Sequence, residues 1–291
     1  MEVLTAEAQR KYKEKLIGLF SRFITFCEDN SLNYYCAGGT ALGAVRHHGF
    51  IPWDDDIDLC MLREDYNKLI CLKEDLSKIG IGIEGLQIEG SKAVFLKVWD
   101  KSTTLWEIEE IPFAYGVFID IFPLDYSDDS PEQFLKKYKK RRVLCRIYQL
   151  SQIRFSIKAF VARMRQRDMK FIVKDLLSIL LPSFLQGCLR RIILKEDKKT
   201  WCPEGEKLAS YYGGYFEREL FKKEWFERVI LVDFENIKVR ISANYDDFLT
   251  QIYHDYMKLP PVEQQVSHHY HFYLNMDRGL SLDEIRKEMK K

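Results

Sequence analysis

Residues 38–61 read Gly38-Gly39-Thr40-Ala41-Leu42-Gly43-Ala44-Val45-Arg46-His47-His48-Gly49-Phe50-Ile51-Pro52-Trp53-Asp54-Asp55-Asp56-Ile57-Asp58-Leu59-Cys60-Met61. The acidic run is the informative part, because residues i and i+2 of an extended strand share a face. Asp56 and Asp58 then stand side by side, with Asp54 in line with them. Neighbouring carboxylates repel unless a cation lies between them, and oxygen-only sites suit Mg²⁺ or Mn²⁺ completed by substrate phosphates and water. Most isolated acidic runs are solvated loops. Here Ile51-Pro52-Trp53 precede the run and Leu59-Cys60-Met61 follow it, so the charges are set into apolar sequence, which favours a site.

Working outward, a short strand over 33–36 leads into Gly38-Gly39-Thr40, read as a turn before a short helix over 41–47. Bare glycine backbone beside a helix N-terminus can approach a phosphate. A Gly-Gly pair alone marks only a turn; its place just ahead of the acids makes Gly38, Gly39 and Thr40 candidate donor-binding residues. Downstream, Asp120 interrupts the apolar run Val117-Phe118-Ile119-Asp120-Ile121-Phe122. An ionised carboxylate there must be paired or metal-bound. It is either a single hydrogen-bonded core acid or, if its strand neighbours the one carrying Asp58, the third carboxylate of one site. Arg46 either contacts donor phosphates or is an ordinary basic helix end. Lys97, within Val94-Phe95-Leu96-Lys97-Val98-Trp99, either reaches the same phosphates or snorkels to a sheet edge. His268-His269-Tyr270-His271 is set aside as a metal site, since adjacent histidines do not readily face one ion.

Apolar residues spaced by three and four (Tyr12, Leu16, Leu19, Phe23, Phe26) predict a helix over 6–28, and another is expected over 63–78. Strands are expected over 54–61, 86–89, 93–99, 104–107 and 117–122, a hairpin over 231–241 turning at Glu235-Asn236, and a helix over 245–256 ended by Pro260-Pro261. This mixture predicts an α/β (α+β) fold, a mixed sheet flanked by helices. Three regions are expected: a catalytic core over 1–130, a basic and mainly helical insertion over 131–200 broken near Pro182, and a mixed region over 201–291 that completes the catalytic domain.

With 46% hydrophobic and 14% aromatic residues, 291 residues can fill a sizeable core. A formal net charge of +1 gives no reason to expect a nucleic-acid partner. The charge is unevenly spread: 136–199 holds 19 Lys and Arg against 4 Asp and Glu, which leaves the remainder at −14. The basic stretch includes the charge-free run 176–189, too short for the roughly 20 residues of a membrane span. Together they fit either a surface lying on an anionic membrane or a helical subdomain with solvated charges. Seven cysteines without a CxxC pair and an N-terminus without an apolar signal core point to a cytoplasmic protein.

The stretch 38–58, with the later Phe118-Ile119-Asp120-Ile121-Phe122-Pro123-Leu124-Asp125, resembles the LicD family, related to fukutin and fukutin-related protein. Tyr253-His254-Asp255-Tyr256-Met257-Lys258-Leu259-Pro260-Pro261 resembles the family's closing motif, which usually reads Tyr-Gly-Asp-Tyr; His254 stands here at the glycine. The resemblance covers 34–125 well, 253–268 moderately and 131–199 hardly at all. It implies a nucleotidyltransferase-like fold in which Gly38 and Gly39 form the turn, Asp56 and Asp58 the metal pair and Asp120 the third carboxylate, all three acids being catalytic. It further implies a CDP-linked alcohol such as CDP-choline as donor, a glycan or lipid-linked glycan as acceptor, and work at the inner face of a membrane. The alternative from the residues alone is a nucleotidyltransferase releasing pyrophosphate, or a metal- and nucleotide-binding module without activity.

Overall fold

In the computed structural model the periodic N-terminal segment is helix α1 (Ala6–Asp29), started by Thr5, whose hydroxyl accepts the Ala8 N–H. The structure describes residues 4–155, 185–266 and 271–290, together with 157, 160, 161, 164, 169, 172, 173 and 176. Helix α1 buries Tyr12, Leu16, Leu19, Phe20, Phe23, Phe26 and Cys27 in the main core. The fold is α+β, as the sequence predicts. Its centre is a mixed sheet in which β1 (Tyr35–Cys36), β2 (Asp58–Leu62), β6 (Phe118–Ser127), β4 (Leu96–Asp100) and β3 (Ile81–Glu84) lie side by side in that order. Strand β6 runs on past its neighbours and pairs with β7 (Lys207–Ala209), which pairs with β8 (Leu220–Lys222).

Only the β2–β6 pairing within the main path is parallel. Along these strands Leu59, Met61, Leu96, Val98, Ile119 and Ile121 alternate onto one face and are fully buried. The opposite face carries Asp58, Asp120 and Lys97. Helix α2 (Gly38–His47) packs beside β2, and α3 (Arg63–Cys71) and α4 (Lys73–Lys78) follow it. The hairpin of β9 (Val229–Phe234) and β10 (Ile237–Ser242) and helix α7 (Tyr245–Tyr253) close over α2. The main core therefore joins 1–130 with the C-terminal region, since Phe234, Val239, Ile241, Phe248 and Leu249 share it with α1 and β2.

Several expected boundaries move. The strand predicted over 54–61 begins only at Asp58, leaving Asp54–Asp56 in the approaching loop. The helix predicted from residue 41 begins at Gly38: a first turn needs no strong helix former, so glycine is tolerated there. The strand expected over 86–89 lies earlier, as β3, because Gly82 leaves room for Trp99 of β4. One expected helix over 63–78 is two, divided at Leu72.

The basic stretch contributes α5 (Pro131–Leu150), with a capping box from Ser130 and Gln133, and α6 (Leu185–Thr200). Part of its charge is internal. Arg141 is buried and pairs with Asp197, Lys140 bridges to Glu196, and Arg190 donates to the Leu86 and Gln87 carbonyls. Arg141 is thus a core residue and is not available to a membrane. Among the described residues no helix is long and apolar enough to cross a membrane.

Candidate active site

Parallel pairing of β2 with β6 sets Asp58 opposite Asp120, and antiparallel pairing of β6 with β4 sets Asp120 opposite Lys97. The three side chains form a row across three adjacent strands on one face. The Lys97 ammonium reaches Asp120 Oδ1 at 2.7 Å and lies 3.5 Å from the centre of the Phe118 ring. Lys97 is therefore on an interior strand and paired, and does not snorkel to an edge. Asp58 is pinned at its backbone: its N–H donates to Thr40 Oγ1 at 2.8 Å and its carbonyl accepts from Ala37 at 2.9 Å. Thr40 is buried and acts through this bond, positioning the start of β2.

The glycines explain the close approach of loop and helix. Gly38 has φ +49°, in the left-handed region that favours glycine, and a Cβ there would stand 2.8 Å from Asp58 Oδ2. A Cβ on Gly39 would collide with Asp54 Oδ2. The first turn of α2, which has no side-chain cap, is thereby brought against two carboxylates, whose charge its N–H groups favour. Burial first, and then the charges of Asp56, Asp120 and Asp54, push the Asp58 carboxyl well above the usual carboxylate range, with Lys97 pulling the other way.

Asp54, Asp56 and Asp58, with Gly39, line a cleft of about 650 Å³ whose walls also include Tyr215 and Tyr253. The two phenol oxygens are 2.6 Å apart. Burial pushes Tyr215 up to about 12, and Asp58 and Asp54 add to it, so it stays protonated and can donate. Arg46 also lines the cleft, but its guanidinium donates to the Tyr256 carbonyl at 2.7 Å, holding the loop after α7. His254, in that loop, has φ +62°, a conformation that favours glycine; this accounts for the residue usual at that position. Asp125, part of the same motif as Asp120, is fully buried in a two-bond pair with Arg63 at 2.6 and 2.8 Å and serves the fold. His268, His269 and Tyr270 lie outside the described residues; His271 stacks on Tyr12.

A family model described as "LicD/FKTN/FKRP, nucleotidyltransferase domain" matches residues 31–156. The lipopolysaccharide cholinephosphotransferase LicD of Haemophilus influenzae is 30% identical over 259 residues, 87% of this chain and 92% of that protein. The chain belongs to the LicD family. A shorter similarity, 31% over 116 residues, joins it to the human ribitol 5-phosphate transferase FKRP and covers 38% of this chain and 23% of that protein. Membership makes the protein a transferase, and the matched segment contains both strands of the acidic row.

Asp58 and Asp120 were legible in the sequence of this LicD-family chain, but Glu219 was not. It is buried beside the cleft, its Oε1 accepting the Tyr215 N–H at 3.2 Å, in a pocket that Gly213 keeps open because a Cβ there would strike the carboxyl. Its only sequence signal is the run Tyr211-Tyr212-Gly213-Gly214-Tyr215-Phe216, a glycine turn among aromatic rings. Burial pushes Glu219 up to about 8 against the pull of the Tyr215, Gly214 and Gly213 N–H groups and of the Arg142 charge. A carboxyl raised on folding binds its proton more tightly in the folded state, so stability falls as pH rises from about 4.5 toward 8. Glu219→Gln should then be more stable than wild type at pH 9 by on the order of 4 kcal/mol relative to their difference at pH 4. Chemical denaturation of both proteins at the two pH values checks this; a pH-independent difference would remove the buried acid from the account.

Proposed function

We propose that this chain transfers a phosphorylated small alcohol, phosphocholine-like, from a CDP-linked donor to a sugar hydroxyl of a surface polysaccharide or glycolipid. The observation that carries the reading is the row Asp58–Asp120–Lys97, whose Asp58 enters the cleft with Asp54, Asp56 and Gly39 at the bare first turn of α2. The acceptor oxygen attacks the phosphorus that bears the alcohol, the P–O bond to CMP breaks, and the acceptor proton passes to a carboxylate of the cluster or to water. CMP leaves with the bonding pair.

The residues fit a divalent cation of the Mg²⁺ or Mn²⁺ type. Among the described residues no three His, Cys, Asp or Glu side chains form a ready metal cage. Mg²⁺ is commonly held by one or two carboxylates and completed by substrate phosphates, so a crowded oxygen set on an open cleft suits it. Asp56 and Asp58, with Asp120 beside them, are the residues that would hold it, and bound there it would neutralise charge developing on the transferred phosphate. The chain's own contribution is orientation and charge. Gly38 and Gly39 let phosphate oxygens approach the α2 N–H groups, Lys97 balances Asp120, and Tyr215 and Tyr253 present hydroxyls from the cleft wall.

Incubation with CDP-choline, a glycan acceptor and Mg²⁺ is expected to release CMP and label the glycan with phosphocholine, and EDTA to abolish both. Release of pyrophosphate from a nucleoside triphosphate would support nucleotidyl transfer instead. Metal and nucleotide binding without either product would leave a binding module.

The basic stretch bears on the acceptor. Lys136, Lys139, Lys195 and Lys198 are exposed, and Ile157, Met164 and Met169 are each more than half exposed. This combination supports peripheral contact with an anionic membrane or a lipid-linked glycan, each basic residue near the surface adding about 1 kcal/mol. Co-sedimentation with phosphatidylglycerol vesicles should weaken with salt and fall when those four lysines become glutamine. No binding at low salt would leave the stretch as scaffold.

A further inference from the structure

A second cavity, of about 390 Å³, lies over the same face of the sheet and shares Asp58 and Tyr215 with the cleft. Its walls include the rings of Phe122, Phe221 and Phe248, and Glu219 lies among them. Glu219 is 4% exposed, and its Oε2 has no hydrogen-bond partner among the described residues. Leaving a buried carboxyl oxygen unpaired is costly; the Arg142 charge acts on Glu219 from outside the lining, and the charged residues that line the cavity are Asp58 and Glu219, both acidic. Aromatic faces and acidic groups together favour one kind of guest, a cation whose apolar bulk fills the space between the rings.

We propose that this cavity is the subsite for a quaternary ammonium head group, with Glu219, ionised when the cation enters, as its counter-charge and Phe122, Phe221 and Phe248 as its cage. The inference rests on the transferase reading for one point, that donor phosphates lie at Asp58. A phosphate at Asp58 places the alcohol it carries at the mouth of the cavity and leaves the larger cleft for the nucleoside. A polyol such as ribitol would bring several hydroxyls to walls that are largely carbon, and would lose hydrogen bonds to water on entry.

A second aromatic pocket differs in the decisive respect. It is lined by Phe95, Phe113 and Tyr115, but its charged lining is Lys92, Lys97 and Arg146 against the one carboxylate Glu107, and the Lys97 ammonium already lies over the Phe95 and Tyr115 rings. That pocket repels an organic cation. The Glu219 cavity attracts one, and so residues of the 210–221 segment, distant in sequence from the acidic motif, set donor choice.

The test compares CDP-choline with the CDP ester of 3,3-dimethylbutanol, which has the same shape and no charge, and with CDP-ribitol. Calorimetric titration of wild type should show CDP-choline binding at least about 10-fold more tightly than either. In Glu219→Gln and in Phe248→Leu that ratio should fall toward one. Folding of the variants is verified by thermal melting, Glu219→Gln having the same shape as wild type. Equal wild-type affinities for the charged and neutral esters, or a ratio that Glu219→Gln leaves intact, would overturn the subsite. The readout is binding, so the two readings fail separately. CMP release with no charge discrimination sinks the subsite alone. If no CDP compound binds, the transfer reading falls, and titration with choline chloride, bound by wild type and lost in Glu219→Gln, decides the subsite by itself.

Discussion

Asp58→Asn is expected to lower CMP release by about 10²–10³-fold or more while leaving the protein folded. Asparagine keeps the shape and the Thr40 bond, which is made by the backbone of residue 58, so β2 keeps its start. What is lost is a negative charge at the cleft end of the row, where Asp56, Asp120 and Asp54 already crowd it. The sign of the stability effect follows from the same crowding. A carboxyl held well above its ordinary range is destabilising in the folded state once the pH exceeds its unfolded value, so the neutral amide should hold or raise the melting temperature near pH 8. Activity and melting temperature would therefore move in opposite directions, which a residue serving only the core does not do. Full CMP release by the variant, or by wild type in EDTA, would sink the metal-assisted reading.

The sequence carried this site unevenly, for physical reasons that can be named. Asp58 and Asp120 were legible because each interrupts an apolar run, and an acid in such a run must find a partner. Their being opposite in a parallel pair was not legible, since register depends on a crossover of some sixty residues through α3, α4 and the three strands β3, β4 and β5 (Thr104–Trp106). The i, i+2 argument placed Asp56 on a strand, yet the strand starts two residues later. Asp56 still approaches Asp58, and its charge is the largest single one acting on it, through the loop's fold against α2.

Lys97 shows the opposite error. A lone lysine in an apolar strand reads equally as a snorkelling edge residue, and only the order β6-β4-β3 makes its strand interior. Glu219 was hidden more deeply: in the sequence it is one acid of Phe216-Glu217-Arg218-Glu219, in a short turn of helix with charged neighbours. Its burial is imposed by Gly213 and by the packing of α7 and β8, contacts between residues that no local period links.

Asp120→Asn tests whether the third acid acts in the reaction or only balances Lys97, and the structure changes what is expected of it. Read from sequence, the substitution should be nearly silent for stability. The Lys97–Asp120 pair is largely buried, with 14% and 12% of the side chains exposed, so removing one partner strands an ammonium. Breaking such a pair costs up to about 3–5 kcal/mol, here moderated by the Phe118 ring that also holds the ammonium. The single variant should thus be both inactive and less stable, which by itself does not separate the two roles. The double variant Lys97→Met/Asp120→Asn does. Removing both charges restores a neutral pair of similar volume, and stability should recover most of the loss. If Asp120 also serves the transfer, CMP release stays about 10²-fold or more below wild type despite the recovered fold. Recovery of activity along with stability would make Asp120 a structural counter-ion and leave the chemistry to Asp58 and the acidic loop.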